Sequence, residues 1–74
     1  MSKLPLVSGE RVVRAFERAG WERARQCGSH VVLTRPGSIV SLSVPLHSPV
    51  GRGLLHDLIR KAGLTDEEFL GFLG

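Results

Sequence analysis

The sequence predicts an α+β two-layer sandwich of one helix, a three-stranded antiparallel sheet, a second helix and a short C-terminal helix. Three observations carry this. Apolar residues recur at helical spacing toward both ends of the chain, and strand-like runs flank a Pro-Gly turn in its middle. A single cysteine, Cys27, excludes an internal disulfide, so a hydrophobic core must supply the stability. At 74 residues the chain is expected to form one domain over 1–74. A domain of this size buries only about 60% of the surface its unfolded chain exposes. Its 42% hydrophobic and 23% charged residues suit a compact fold and not a disordered one.

The first helix is expected over about 9–19. Ser8 can cap it, Val12, Val13, Phe16 and Ala19 supply an apolar stripe, and Gly20 suits its C-terminal stop. Arg11, Arg14 and Arg18 then share one exposed face, which reads either as a solvated stripe or as a grip on a phosphate backbone.

Trp21 to Gln26 is bracketed by Gly20 and by Cys27-Gly28-Ser29, so it reads as a short strand. His30-Val31-Val32-Leu33-Thr34, then Arg35-Pro36-Gly37-Ser38, then Ile39 to Val44 form a β-hairpin. If its turn is even, as with the four residues Arg35 to Ser38, Thr34 pairs with Ile39 and His30 lies opposite Ser43. Val31, Leu33, Val40 and Leu42 then make a core face, and His30 points outward. A slip of one residue would bury His30, because it reverses every side chain.

Pro45 and Pro49 stop further pairing and leave Leu46-His47-Ser48 as a loop. A second helix begins near Gly51, with Leu55, Leu58, Ile59 and Ala62 as its apolar stripe and Gly63 as its end. Thr65-Asp66-Glu67-Glu68 is a capping box for a last helix that buries Phe69, Leu70 and Phe72. Both long helices are expected on one face of the sheet.

Charge points to a nucleic-acid partner. Ten Lys and Arg against seven Asp and Glu give +3, but Asp66, Glu67 and Glu68 sit at the end, so residues 1–64 carry ten minus four, or +6. Eight of the ten cations are Arg, whose planar fork matches phosphate oxygens in pairs. No acid lies between Arg23 and His56, where Arg23, Arg25, Arg35, Arg52 and all three histidines fall. The longest uncharged stretch, Pro36 to Gly51, is broken by prolines and His47, far from the ~18 apolar residues of a membrane span. No charged-then-apolar leader precedes a small-residue cleavage site, and the expectation is a cytoplasmic protein with no membrane partner.

Gly28-Ser29-His30 places an imidazole directly after a tight turn, where a general acid or base has both protonation forms within reach of neutral pH. Spacing alone does not separate this from a surface histidine of no special role. His47 returns to the same sheet end and can either share proton transfers with His30 or brace its Pro-bounded loop. Cys27, His30, His47 and His56 have zinc-ligand chemistry, but their spacing matches no zinc pattern, and neither a metal nor another cofactor is expected. Gly51-Arg52-Gly53 lacks the Lys-Ser/Thr ending of a phosphate loop.

Three stretches together resemble the HicA toxins of bacterial toxin–antitoxin pairs. They are Ser8-Gly9-Glu10 through Ala19-Gly20-Trp21, the run from Arg25 to Gly28-Ser29-His30, and Val44-Pro45-Leu46-His47 followed by Gly53 to Phe69 with its Lys61-Ala62-Gly63-Leu64. The resemblance covers nearly the whole chain in order, and Gly-Ser-His followed by Pro-x-His is its specific part. It implies a fold like the double-stranded-RNA-binding domain and a small type II toxin that cleaves mRNA without a metal. The family's catalytic histidine maps onto His30 and its second histidine onto His47. The resemblance also implies a HicB-type antitoxin as partner. Arg25, Arg35 and Arg52 are, from charge, the candidates for phosphate contacts, with Ser29 beside His30 as a further RNA-binding position. Many members have Gly-Thr where this chain has Gly53-Leu54, and often a basic residue at His56; the lost hydroxyl would weaken a phosphate contact at a helix start. The rival reading is a double-stranded-RNA-binding module without chemistry, using the Arg11, Arg14 and Arg18 stripe. A further rival is a protein-interaction subunit whose basic surface meets an acidic partner.

Overall fold

In the computed structural model, which describes residues 4–47 and 49–73, the elements run α1 (Gly9–Arg18), β1 (Glu22–Cys27), β2 (His30–Thr34), β3 (Leu42–Pro45), α2 (Arg52–Lys61) and α3 (Asp66–Leu73). This is the α+β order of helix, three antiparallel strands and helix shared with the double-stranded-RNA-binding domain, followed by one short helix. Ser48, the third residue of the Pro-bounded loop, lies outside the described residues.

Local chemistry sets the helix ends. The Ser8 hydroxyl accepts from the Arg11 amide at 3.3 Å and caps α1. At the other end Gly20 takes φ +104°, the Gly20 amide donates to Glu17 and the Trp21 amide to Phe16, a Schellman closure. This closure holds Trp21 to the helix, so β1 begins one residue later than its apolar start suggests and runs on to Cys27. Gly63 (φ +76°) closes α2 in the same way, with amide bonds from Gly63 to Arg60 and from Leu64 to Ile59. The Thr65–Glu68 capping box forms as expected: Glu68 Oε1 accepts from the Thr65 amide at 2.8 Å, and Thr65 Oγ1 from the Glu68 amide at 3.1 Å.

The strand order is β1-β2-β3, with β2 central. The β2–β3 turn corrects the expected register by two residues. Leu33 pairs with Leu42, Val31 with Val44 and His30 with Pro45, so Thr34 does not meet Ile39, nor His30 Ser43. The Arg35–Ser38 turn does close, with the Ser38 amide donating to the Arg35 carbonyl and Gly37 at φ +84°. Ser38 Oγ then captures the Val40 amide at 3.2 Å, which bends the chain away from the ladder until Leu42. Ile39 is therefore fully exposed and Val40 is not a core residue. A slip of two preserves the faces: Val31, Leu33, Leu42 and Val44 are buried, while His30, Thr34 and Ser43 are exposed.

α1 and α2 both pack on the buried face of the sheet, and α3 closes the helical side, with Phe16 and Phe69 ring centroids 5.1 Å apart. The N-terminal segment adds Leu4 and Val7 to the core, Val7 bridging to Val50, a contribution with no periodic signal. Among the described residues, no helix is long and apolar enough to cross a membrane.

Candidate active site

The tight β1–β2 turn positions His30. Cys27 and His30 pair across two residues, and Gly28 at φ +60° supplies the left-handed first position that a II′ hairpin requires. The Gln26 side-chain amide donates to the Gly28 carbonyl at 3.1 Å and braces the turn. On the other side of the strand the Leu46 amide donates to the Ser29 carbonyl at 2.7 Å. That bond brings the chain leaving β3 back to the turn, so His47, one residue further, stands at the same sheet end as His30. Both imidazoles are exposed and Ser29 is half-buried.

An irregularity in β1 decides which arginine accompanies His30. Simple alternation would put Arg23 and Arg25 on one face. Instead Arg23 pairs with Leu33 and Arg25 with Val32, with the register shifting between them at Ala24. Leu33 faces the core and Val32 the outside, so the bulge sends the two arginines to opposite faces. Arg23 turns toward α1, where it binds Glu10 and, at 3.2 Å, Glu17. Its hydrogen bond holds the Glu10 carboxyl below the usual carboxylate range, and Glu10 in turn raises the Arg23 guanidinium. Arg25 joins Cys27, His30, Val32 and Ser43 on the outer face. It lies diagonal to His30, about 7–8 Å away at the backbone and within reach of a long side chain. Acids outside the acid-free stretch thus remove Arg23 from the basic surface, a pairing that only the bulge makes possible.

The remaining candidates are spread out. Arg35 follows Thr34 at the far end of β2 from His30. Arg52 opens α2 and donates from Nε to the Leu4 carbonyl at 2.8 Å. Gly51 gives α2 no side-chain cap, and Leu54, exposed on its first turn, offers no hydroxyl. His56 sits in the helical layer, its Nδ1 3.5 Å from Asp66 Oδ1, away from the outer face. Among the described residues, no three His, Cys, Asp or Glu side chains gather as a metal site. The arrangement brings Arg25, Ser29, His30 and His47 to one uncovered sheet end, where an imidazole can exchange a proton with a substrate whose phosphate faces a guanidinium.

Of the Arg11, Arg14 and Arg18 stripe, Arg14 pairs with Glu10 at 3.5 Å and Arg18 donates to the Phe72 carbonyl at 2.7 Å. One missed positioning residue is Gly9, buried where α1 starts against Pro45 and Leu46, the backbone that leads to His47. A lone glycine beside a helix cap carries no local signal of this close approach, which arises only when β3 is brought alongside α1.

No curated protein compared with the chain matches it. The family model of the HicA toxin of bacterial toxin–antitoxin systems matches residues 9–64, from the first residue of α1 to just past the end of α2, and takes in every element that shapes the His30 sheet end. With three quarters of its length matched in this way, the chain belongs to the HicA toxin family, small proteins that work as the toxin of a toxin–antitoxin pair.

Proposed function

We propose that the protein is a metal-independent endoribonuclease that cleaves mRNA in the cytoplasm, and that its antitoxin is of the HicB type. The observation that carries this reading is the outer-face placement of His30, diagonal to an Arg25 with no acid partner among the described residues. His30 takes the proton from a ribose 2′-OH or delivers one to the leaving oxygen, and His47 is the second group available for the complementary transfer. The 2′-oxygen forms a bond to phosphorus as the bond to the 5′-oxygen breaks, leaving a 2′,3′-cyclic phosphate and a 5′-hydroxyl that takes up the proton. Arg25 stabilises charge building on the phosphoryl oxygens, Ser29 borders the same end, and Arg35 and Arg52 meet phosphates farther along the strand. General acid–base catalysis contributes roughly 10²–10⁴-fold, enough for a slow nuclease acting on many exposed messages.

The rival reading, a shape-reading module for duplex RNA, loses support because two of the three arginines of the α1 stripe are already engaged by Glu10 and the Phe72 carbonyl. Incubation of the purified protein with RNA in excess chelator tests the proposal. Cleavage should persist, should end in a cyclic phosphate, and should stop when deoxyribose replaces ribose at the cut. Activity that disappears with chelator and returns with zinc or magnesium would overturn the histidine mechanism.

A further inference from the structure

At the end of the sheet opposite His30, the Arg35–Ser38 turn and the C-terminus of α2 enclose an open cleft of about 260 Å³. Arg35 comes to it from the turn and Lys61 from α2, and among the described residues no acid lines it. Neither cation has an acid partner among the described residues. Trp21 also lines the cleft; it is 3% exposed, and its indole Nε1–H has no acceptor among the described residues. An indole nitrogen only donates, and a buried donor without an acceptor is uncommon enough to call for an explanation. The carbonyls that would repel an anion at a helix C-terminus are partly removed, because those of Leu58, Ile59 and Arg60 already accept from Ala62, Leu64 and Gly63.

Two cations on one opening, with an unused donor on a side chain of its wall, select an anion rich in oxygen acceptors. We propose that this cleft is a distal phosphate subsite, which takes a backbone phosphate of the same RNA strand that His30 cuts; it rests on the ribonuclease reading. β2 joins the two places. Arg35 lies five residues beyond His30, and at about 3.3 Å per residue the two backbones stand some 16 Å apart. Only an RNA extending several nucleotides past the cut occupies both, so the cleft makes affinity depend on substrate length.

Trp21 is the only tryptophan in the chain, so its fluorescence reports the cleft directly. The experiment titrates the wild type, Arg35→Ala and Lys61→Ala with 2′-O-methyl oligonucleotides of increasing length, which bind without being cut, and with inorganic phosphate. Short oligonucleotides should bind all three proteins alike with no change in Trp21 emission. Beyond a threshold length, emission should change saturably, and each substitution should weaken binding about tenfold, the effect of one charge-assisted contact. Long oligonucleotides that bind the three proteins equally, with silent emission, would overturn the proposal. So would a saturable response to inorganic phosphate that long oligonucleotides do not displace, because the cleft would then serve the free ion. The readout is binding, so failure to cleave RNA would sink the ribonuclease reading and leave this result to be judged by itself.

Discussion

Gly9 lies so close to Pro45 that a Cβ at position 9 would stand 1.9 Å from the Pro45 carbonyl oxygen. The obstacle is backbone, and Pro45 is the register partner of His30, so neither side can yield without moving the candidate site. Gly9→Ala should destabilise the fold by about 1–3 kcal/mol, the range for overpacked interiors, although alanine is the better helix former. Chemical denaturation measures it, and an unchanged midpoint would contradict the close approach.

Arg23 and Arg25 should separate stability from RNA binding. Arg25→Ala should leave the melting midpoint nearly unchanged, weaken RNA binding, and reduce the slope of log affinity against log salt by about 0.7, the share of one single-strand phosphate contact. Arg23→Ala should do the reverse: it removes the partner of Glu10 and Glu17 and leaves the salt slope in place. Equal effects of the two on binding would mean that the bulge does not divide them.

The Glu10–Arg23 contact also predicts a pH dependence of stability. The folded-state pKa of Glu10 is lowered from 4.5, chiefly by the Arg23 hydrogen bond, so its contribution is present above that value and is lost as pH falls through the folded pKa. Both side chains are more than a third exposed, and solvent screening limits the gain to no more than about 1 kcal/mol. Glu10→Gln should be less stable than the wild type at pH 7, and the two should converge at acid pH. A gap that persists there would assign the effect to packing.

Phe69→Ala should cost about 3–5 kcal/mol, because the ring is fully buried against Phe16. The loss is a large fraction of a small domain's stability, and thermal unfolding followed by circular dichroism reads it. A change below 1 kcal/mol would mean that α3 is not part of the cooperative core.

What the sequence made legible follows from where the signal is local. Ser8, Gly20, Gly63 and the Thr65–Glu68 pair act on neighbours within one turn, and the helices they bound are found where they predict. The faces of β2 were also readable, because alternation survives any even slip, and His30 is exposed as expected. The register itself was not, since Ser38 diverts the chain through a side-chain bond that turn rules do not weigh against Ile39 and Val40 as strand formers. The bulge at Ala24 leaves no pattern in Glu-Arg-Ala-Arg-Gln-Cys, so the opposite fates of Arg23 and Arg25 emerge only when Glu10 and Glu17 are brought alongside. Leu4, Val7 and Val50 enter the core from segments with no period at all.

The central claim is that His30 carries the chemistry from an exposed position, and the most direct test is RNA cleavage by His30→Ala, measured beside its stability. An exposed imidazole should be removable for no more than about 0.5 kcal/mol. The variant is predicted to fold, to keep most of its RNA binding through Arg25 and the other arginines, and to lose cleavage and growth arrest, with His47→Ala giving an equal or smaller loss. A His30→Ala protein that folds and cuts RNA at the wild-type rate would contradict the account.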